Sequence, residues 1–136
     1  MRLDELIDFY QTLTPASLGR FGEFYAEQAR FKDPFNEVSG LPAIRRIFSH
    51  MFAQLREPRF VVTEKVGAGN TAFLVWTLHF RRRGKEETIH GVTRLHWDAS
   101  GKVDDHRDYW DAAEELYMKL PLIGALLRAL RRLLAA

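Results

Sequence analysis

Two acids in this 136-residue chain stand where a proton carrier could stand. Asp33 lies in RFKDPFNEVSG (Arg30–Gly40), where a strand-like run at Arg30–Lys32 meets proline and a polar loop ending in glycine. Aspartate is favoured beside proline in turns, and the residue before proline is pushed to extended geometry. The same carboxylate, facing an apolar mouth with Phe31, Phe35 and Phe48 as neighbours, would have its charged form disfavoured and would exchange protons near neutrality. Both readings are open. The second acid, Asp108, lies two residues after His106, so on a strand the two side chains point the same way about 7 Å apart. Trp110 continues the row and Asp104 begins it. Facing inward, this row is an acid–base wall. Facing outward, it is a solvated edge, since Asp105, Arg107 and Tyr109 on the opposite parity are equally polar.

Other chemistries are poorly provided for. The chain has no cysteine, which removes disulfides, thiolate nucleophiles and thiolate metal sites. His90 and His96 share a parity but would stand about 20 Å apart on an extended strand. His50 and His79 have no ligand-spaced partner, and no HExxH-type pattern occurs, so neither a metal nor a cofactor is expected. Ser39, Ser49 and Ser100 lack a triad setting, and no phosphate cradle or nucleotide fingerprint is present. Net charge is +2, with Lys119, Arg128, Arg131 and Arg132 forming an acid-free end. The remainder is slightly acidic, which speaks against nucleic acid as a partner.

Positioning these residues requires a scaffold, and the apolar periods supply one. Leu3, Leu6, Ile7, Tyr10 and Leu13 form a helical stripe. Thr14-Pro15 stops it and starts a second short helix carrying Leu18, Phe21 and Tyr25. Gly40-Leu41-Pro42 opens a third, with Ile44, Ile47, Phe48, Met51 and Leu55 on one side, and Pro58 ends it. The period then becomes two. Strands are expected at Arg59–Ala68, Thr71–Arg82, Glu86–Trp97 and Lys102–Trp110, joined by turns at Gly69-Asn70, Gly84 and Asp98–Gly101. Such short turns make the four an antiparallel meander, with the short strand at Arg30–Lys32 pairing at an edge. Asp111 and Glu114 read as a helix start. That helix breaks at Leu120-Pro121, and another follows. The fold class is α+β: a curved antiparallel sheet around N-terminal helices, its mouth a place for a small-molecule site.

The DP dipeptide, the GLPAIRRIF helix start and RDYWD (Arg107–Asp111), in this order, resemble the nuclear transport factor 2-like superfamily, its SnoaL-like branch most, over roughly Leu3–Leu120. The resemblance implies a cone-shaped α+β barrel (residues 1–120) with an inner pocket, and a homodimer formed through the sheet's outer face. In its ketosteroid isomerase members the acid of the DP dipeptide is the general base, which corresponds to Asp33. A helix-one tyrosine donates to the developing oxyanion, which corresponds to Tyr10, or to Phe9 if the shorter loop shifts the match. The second donor is a protonated acid there and Thr93 here. In limonene epoxide hydrolase the acid of the last strand corresponds to Asp108. The arginine–acid pair of its middle strand falls on Trp76 and Leu78, so that water-activating triad is incomplete. The same likeness turns Asp108 inward and makes Trp76 and Leu78 pocket lining, where periodicity alone reads core.

Two functions are expected from different classes. In the first, a cofactor-free isomerase, cyclase, dehydratase or hydrolase acts on a small hydrophobic substrate. Asp33 or Asp108 shuttles the proton, His106 and Tyr10 assist, and Thr93, Trp76, Leu78, Phe48, Met51, Phe35 and Trp110 hold the substrate. In the second, the same pocket or the sheet binds a ligand or protein without turnover. The N-terminus carries acids through its apolar pattern, unlike a signal peptide, so a cytoplasmic location is expected. The tail 121–136 is a basic amphipathic helix, read as a lid on the cone's mouth or a subunit contact ahead of a contact with anionic lipid.

Overall fold

The structure, a computed structural model, describes residues 2–115 and 121–135. Helix α1 (Leu3–Gln11) leads into a 3-10 segment (Pro15–Arg20), a single helical turn α2 (Phe21–Phe24), and strands β1 (Tyr25–Lys32) and β2 (Glu37–Ser39). Helix α3 (Leu41–Gln54) follows, then β3 (Arg56–Ala68), β4 (Thr71–Arg82), β5 (Lys85–Trp97), β6 (Val103–Tyr109), α4 (Ala112–Glu115) and α5 (Pro121–Leu134). The expected break of the preceding helix at Leu120 lies outside the described residues.

The six strands form one curved, unclosed sheet in the order β2-β1-β6-β5-β4-β3. The meander β3–β6 is antiparallel throughout, as short turns dictate. Burial alternates regularly along β4 and over the second half of β5. Leu74, Trp76, Leu78 and Phe80 of β4 and Thr93, Leu95 and Trp97 of β5 are buried on one face. The same face meets the stripe of α1 and, through Ile44 and Phe48, that of α3. Between them sits an aromatic cluster. Phe9 packs edge-on to Phe21 and stacks on Phe24, both at 5.0 Å, and Phe21 reaches Phe48 at 4.8 Å.

Three expectations about the first third need correction. Thr14 does restart the chain, exchanging hydrogen bonds with Ser17. What it starts is a 3-10 segment, and helix ends at Phe24. Tyr25 belongs to β1, which pairs antiparallel to β2 on one side and parallel to β6 on the other. A one-turn helix containing Gly22 has little to hold it against a ladder of interstrand hydrogen bonds. The strand expected at Arg30–Lys32 is therefore longer and interior to the sheet. The edge is taken by β2, which forms in a stretch that reads as polar loop.

One contact sets the geometry of the inner face. Gly91 pairs across β4–β5 with Trp76, and the indole lies flat over the glycine. A Cβ at position 91 would come within 2.3 Å of that ring. Gly91→Ala should cost about 1–3 kcal/mol, the usual range for overpacking. Urea unfolding of the variant checks it, and unchanged stability would show the ring free to move aside.

Candidate active site

The inner face of the sheet carries two buried polar side chains among the described residues, Thr93 and His106, each 3% exposed. Strand register brings them together. Thr93 of β5 sits opposite Asp108 of β6, Leu95 opposite His106, and Phe31 of β1 flanks His106 on the other side. The alternation that turns His106 inward also turns Asp108 inward, and Asp108 keeps 15% side-chain exposure.

A continuous hydrogen-bonded line runs through these groups. Tyr10 of α1 bonds through its hydroxyl to that of Tyr25. Tyr25 Oη lies 2.5 Å from His106 Nδ1, and His106 Nε2 lies 2.7 Å from Asp108 Oδ1. From the other side, Trp76 Nε1 donates to Thr93 Oγ1 at 2.7 Å, and Thr93 donates to the same Asp108 oxygen. A neutral imidazole with its proton on Nε2 lets every donor point one way: Tyr10 to Tyr25, Tyr25 to His106, His106 to Asp108, and Trp76 through Thr93 to Asp108. Two arms then end on one carboxylate oxygen. Phe31 lies 4.6 Å from the imidazole, ring centre to ring centre, and the Tyr25 ring stacks at 5.9 Å from it.

Burial pushes both buried phenols up, Tyr25 well above the ordinary tyrosine value, so both remain protonated donors at neutral pH. The negative charge of Asp108 acts in the same direction, while the hydrogen bond shared with Tyr25 partly offsets the rise at Tyr10.

Tyr10, Thr93, Asp108 and His106 line a narrow cavity of about 30 Å³ whose apolar walls include Phe48, Phe60 and Trp76. That volume has room for about two water molecules. Outside it lies an open groove of about 580 Å³ bordered by Lys32, Asp33, Arg107, Tyr109, Trp110 and Asp111. Asp108 borders both spaces.

Of the residues singled out in the sequence, Tyr10, His106, Asp108, Thr93, Trp76 and Phe48 are brought together at the cavity. Asp33 is not among them. Its Oδ1 accepts from the backbone N–H groups of Phe35 and Asn36 at 2.8 and 2.7 Å and from the Asn36 amide, which closes the turn after β1. Its side chain is committed to the turn at the groove's rim, away from the expected apolar mouth. Phe35 is half exposed and meets Trp110, which borders the groove, edge-on at 5.5 Å. Leu78 is core further along β4, and Met51 packs partly buried against that core; neither lines the cavity. Tyr25 was missed, being counted in an apolar helical stripe. Its signal was a lone hydroxyl among phenylalanines, since a buried tyrosine needs a partner. Among the described residues no three His, Asp or Glu side chains are grouped as a metal would require.

The buried phenols give a pH prediction. The unfolded chain releases their protons near pH 10 while the folded chain keeps them, so above that value the unfolded state binds fewer protons and stability falls as pH rises. The slope should be about 1.4 kcal/mol per pH unit for each tyrosine. Urea unfolding between pH 9 and 11 should show it, and Tyr10→Phe should remove about half; a flat profile would mean the hydroxyls are accessible to water.

A model of the SnoaL-like domain matches residues 6–106. No curated protein matches the chain in sequence. Solved structures do. An NTF2-like protein of unknown function from Exiguobacterium sp. 255-15 superposes with a TM-score of 0.69 at 16% identity, covering 82% of this chain and 98% of that one. A protein provisionally described as an isomerase of the SnoaL-like family, from Agrobacterium tumefaciens str. C58, gives 0.67 at 18% identity over 80% and 93% of the two chains. A provisional SnoaL-like polyketide cyclase from Jannaschia sp. CCS1 gives 0.70 at 16% identity over 82% and 84%. Identities this low carry the fold and leave the chemistry to each chain's own residues. The architecture is the NTF2-like cone, and with three quarters of its length inside the family's model this chain belongs to the SnoaL-like domain family.

Proposed function

We propose that the protein is a cofactor-free acid–base enzyme, of isomerase, cyclase, dehydratase or hydrolase type, acting on a small hydrophobic substrate that carries a polar group. Asp108 is its proton acceptor. The observation that carries this reading is the convergence of two hydrogen-bonded arms on one oxygen of the acid that borders both the cavity and the groove. The substrate's body rests in the groove against Trp110 and Phe35, because the inner cavity admits only water-sized groups.

The line behind Asp108 then has a use. Asp108 takes a proton from a substrate C–H: the C–H bond breaks, an O–H bond forms on the carboxyl group, and the electron pair stays on the substrate. The Nε2–H of His106 and the hydroxyl of Thr93 keep donating to Oδ1 and hold the acid in place. The acid then returns the proton to a second substrate atom, so Asp108 ends as the carboxylate it began as. Two proteins of similar fold are provisionally described as an isomerase and a polyketide cyclase, which supports this reading.

The alternative is a binding module without turnover. The observation in its favour is that the hydroxyls, imidazole and indole of the line already satisfy one another, as a purely structural buried network would. Deuterium exchange into a panel of small ketones and esters, followed by NMR, separates the two. Wild-type protein should catalyse exchange at activated C–H positions, and Asp108→Asn should lose about 10²–10⁴-fold, the usual worth of a general base. Asp33→Asn should leave the rate unchanged. No catalysed exchange by the wild type, or full activity in Asp108→Asn, would leave the binding reading.

We also propose a homodimer through the outer face of the sheet. There Val66, Phe73 and Tyr109 are 67%, 45% and 47% exposed. They fall on adjoining cross-strand rows, Val66 beside Phe73 and Tyr109 beside Val92 and Val75. An apolar strip of this kind on a sheet face marks an interaction site. Sedimentation should find a dimer that Phe73→Glu converts to monomer; a monomeric wild type contradicts it.

A further inference from the structure

The C-terminal helix raises a separate question, because four of its leucines stand exposed. In α5, Leu126, Leu130, Leu133 and Leu134 are 62%, 46%, 79% and 84% exposed. They recur at i, i+4, i+7 and i+8 and so share one face. Arg128, Arg131 and Arg132 occupy the opposite side, and no acid follows Glu115 in the chain. Gly124 is buried and Leu127 half-buried, so the helix meets neighbouring residues near its start and turns its leucine face outward. A lid would bury those leucines over the cavity, and this helix leaves them in water.

We propose that α5 docks on an anionic lipid surface, with its leucines in the acyl boundary and its arginines among the head groups. The charge decides between occupants. A second copy of the helix carries the same positive charge and brings no acid to offset it. Anionic head groups are of opposite sign and attract a segment with several basic residues and no acid. α5 has 14 residues, and among the described residues no helix is long and apolar enough to cross a membrane, so the contact is one of lying on the surface.

The test is co-sedimentation of the full chain with sucrose-loaded vesicles, either pure phosphatidylcholine or phosphatidylcholine with phosphatidylglycerol. The wild type should pellet with the mixed vesicles, more weakly with the neutral ones, and less as salt is raised. Leu130→Glu/Leu133→Glu should lose at least about tenfold in binding, since it puts charge into the inserted face. Arg131→Gln/Arg132→Gln, which leaves the leucines intact, should lose about fivefold per arginine on anionic vesicles. Two results would overturn the proposal: no binding to anionic vesicles, or equal binding to both vesicle types that the arginine variant leaves unchanged. So would leucine variants that shift only the oligomeric state, since α5 would then pair copies of the chain.

Discussion

A buried imidazole has two nitrogens to satisfy, and that requirement organises the inner half of this molecule. An unpaired buried polar group costs about 1–3 kcal/mol. His106 meets the demand at Nδ1 with Tyr25 and at Nε2 with Asp108. Those partners come from the start of β1 and from β6 itself, and Tyr25 in turn ties in α1 through Tyr10. The ring thus fixes how the first helix and the first strand sit on the meander. It also explains why Tyr25 is in the sheet, where its hydroxyl can reach the imidazole.

The surroundings give that polar line its leverage. Phe31, Phe48, Phe60 and Trp76 keep the dielectric low around it, so each hydrogen bond is stronger than in water and each missing one is more costly. Asp108 alone among the line's members stands at the boundary with the open groove. A carboxylate so placed is held in orientation from behind while its front remains reachable. The small inner volume therefore fits chemistry performed at the cavity's edge on a substrate lying outside.

Much of this was legible in the chain. The period-two runs and their turns carry the meander because alternate burial and glycine turns are local properties: Arg83 and Gly84 both take positive φ at the tip of β4–β5, as a two-residue hairpin needs. The pairing of His106 with Asp108 followed from parity, while its inward face required the family resemblance. What stayed hidden depends on distant partners. Nothing near Tyr25 shows that it will pair with Val103, far along the chain, and its spacing from Phe21 fits a helix equally well. Asp33 is the opposite case. Its local turn chemistry, visible in the sequence, is what the structure uses, while the base's role was the other reading its residues left open and the family likeness implied. The leucines of α5 were recognised as amphipathic, but periodicity gives a helix a face without saying what that face meets.

The convergence of donors on Asp108 is the central claim, and the protonation of His106 in the resting protein tests it most directly. Nitrogen-15 NMR of the imidazole, correlated to its ring protons and assigned with His106→Gln, distinguishes the three ring states. The account predicts a neutral ring at neutral pH, bare at Nδ1 and protonated at Nε2, accepting from Tyr25 and donating to Asp108. A ring protonated at both nitrogens, or at Nδ1 alone, would reverse the Tyr25 bond and contradict the one-way line of donors that ends on Asp108.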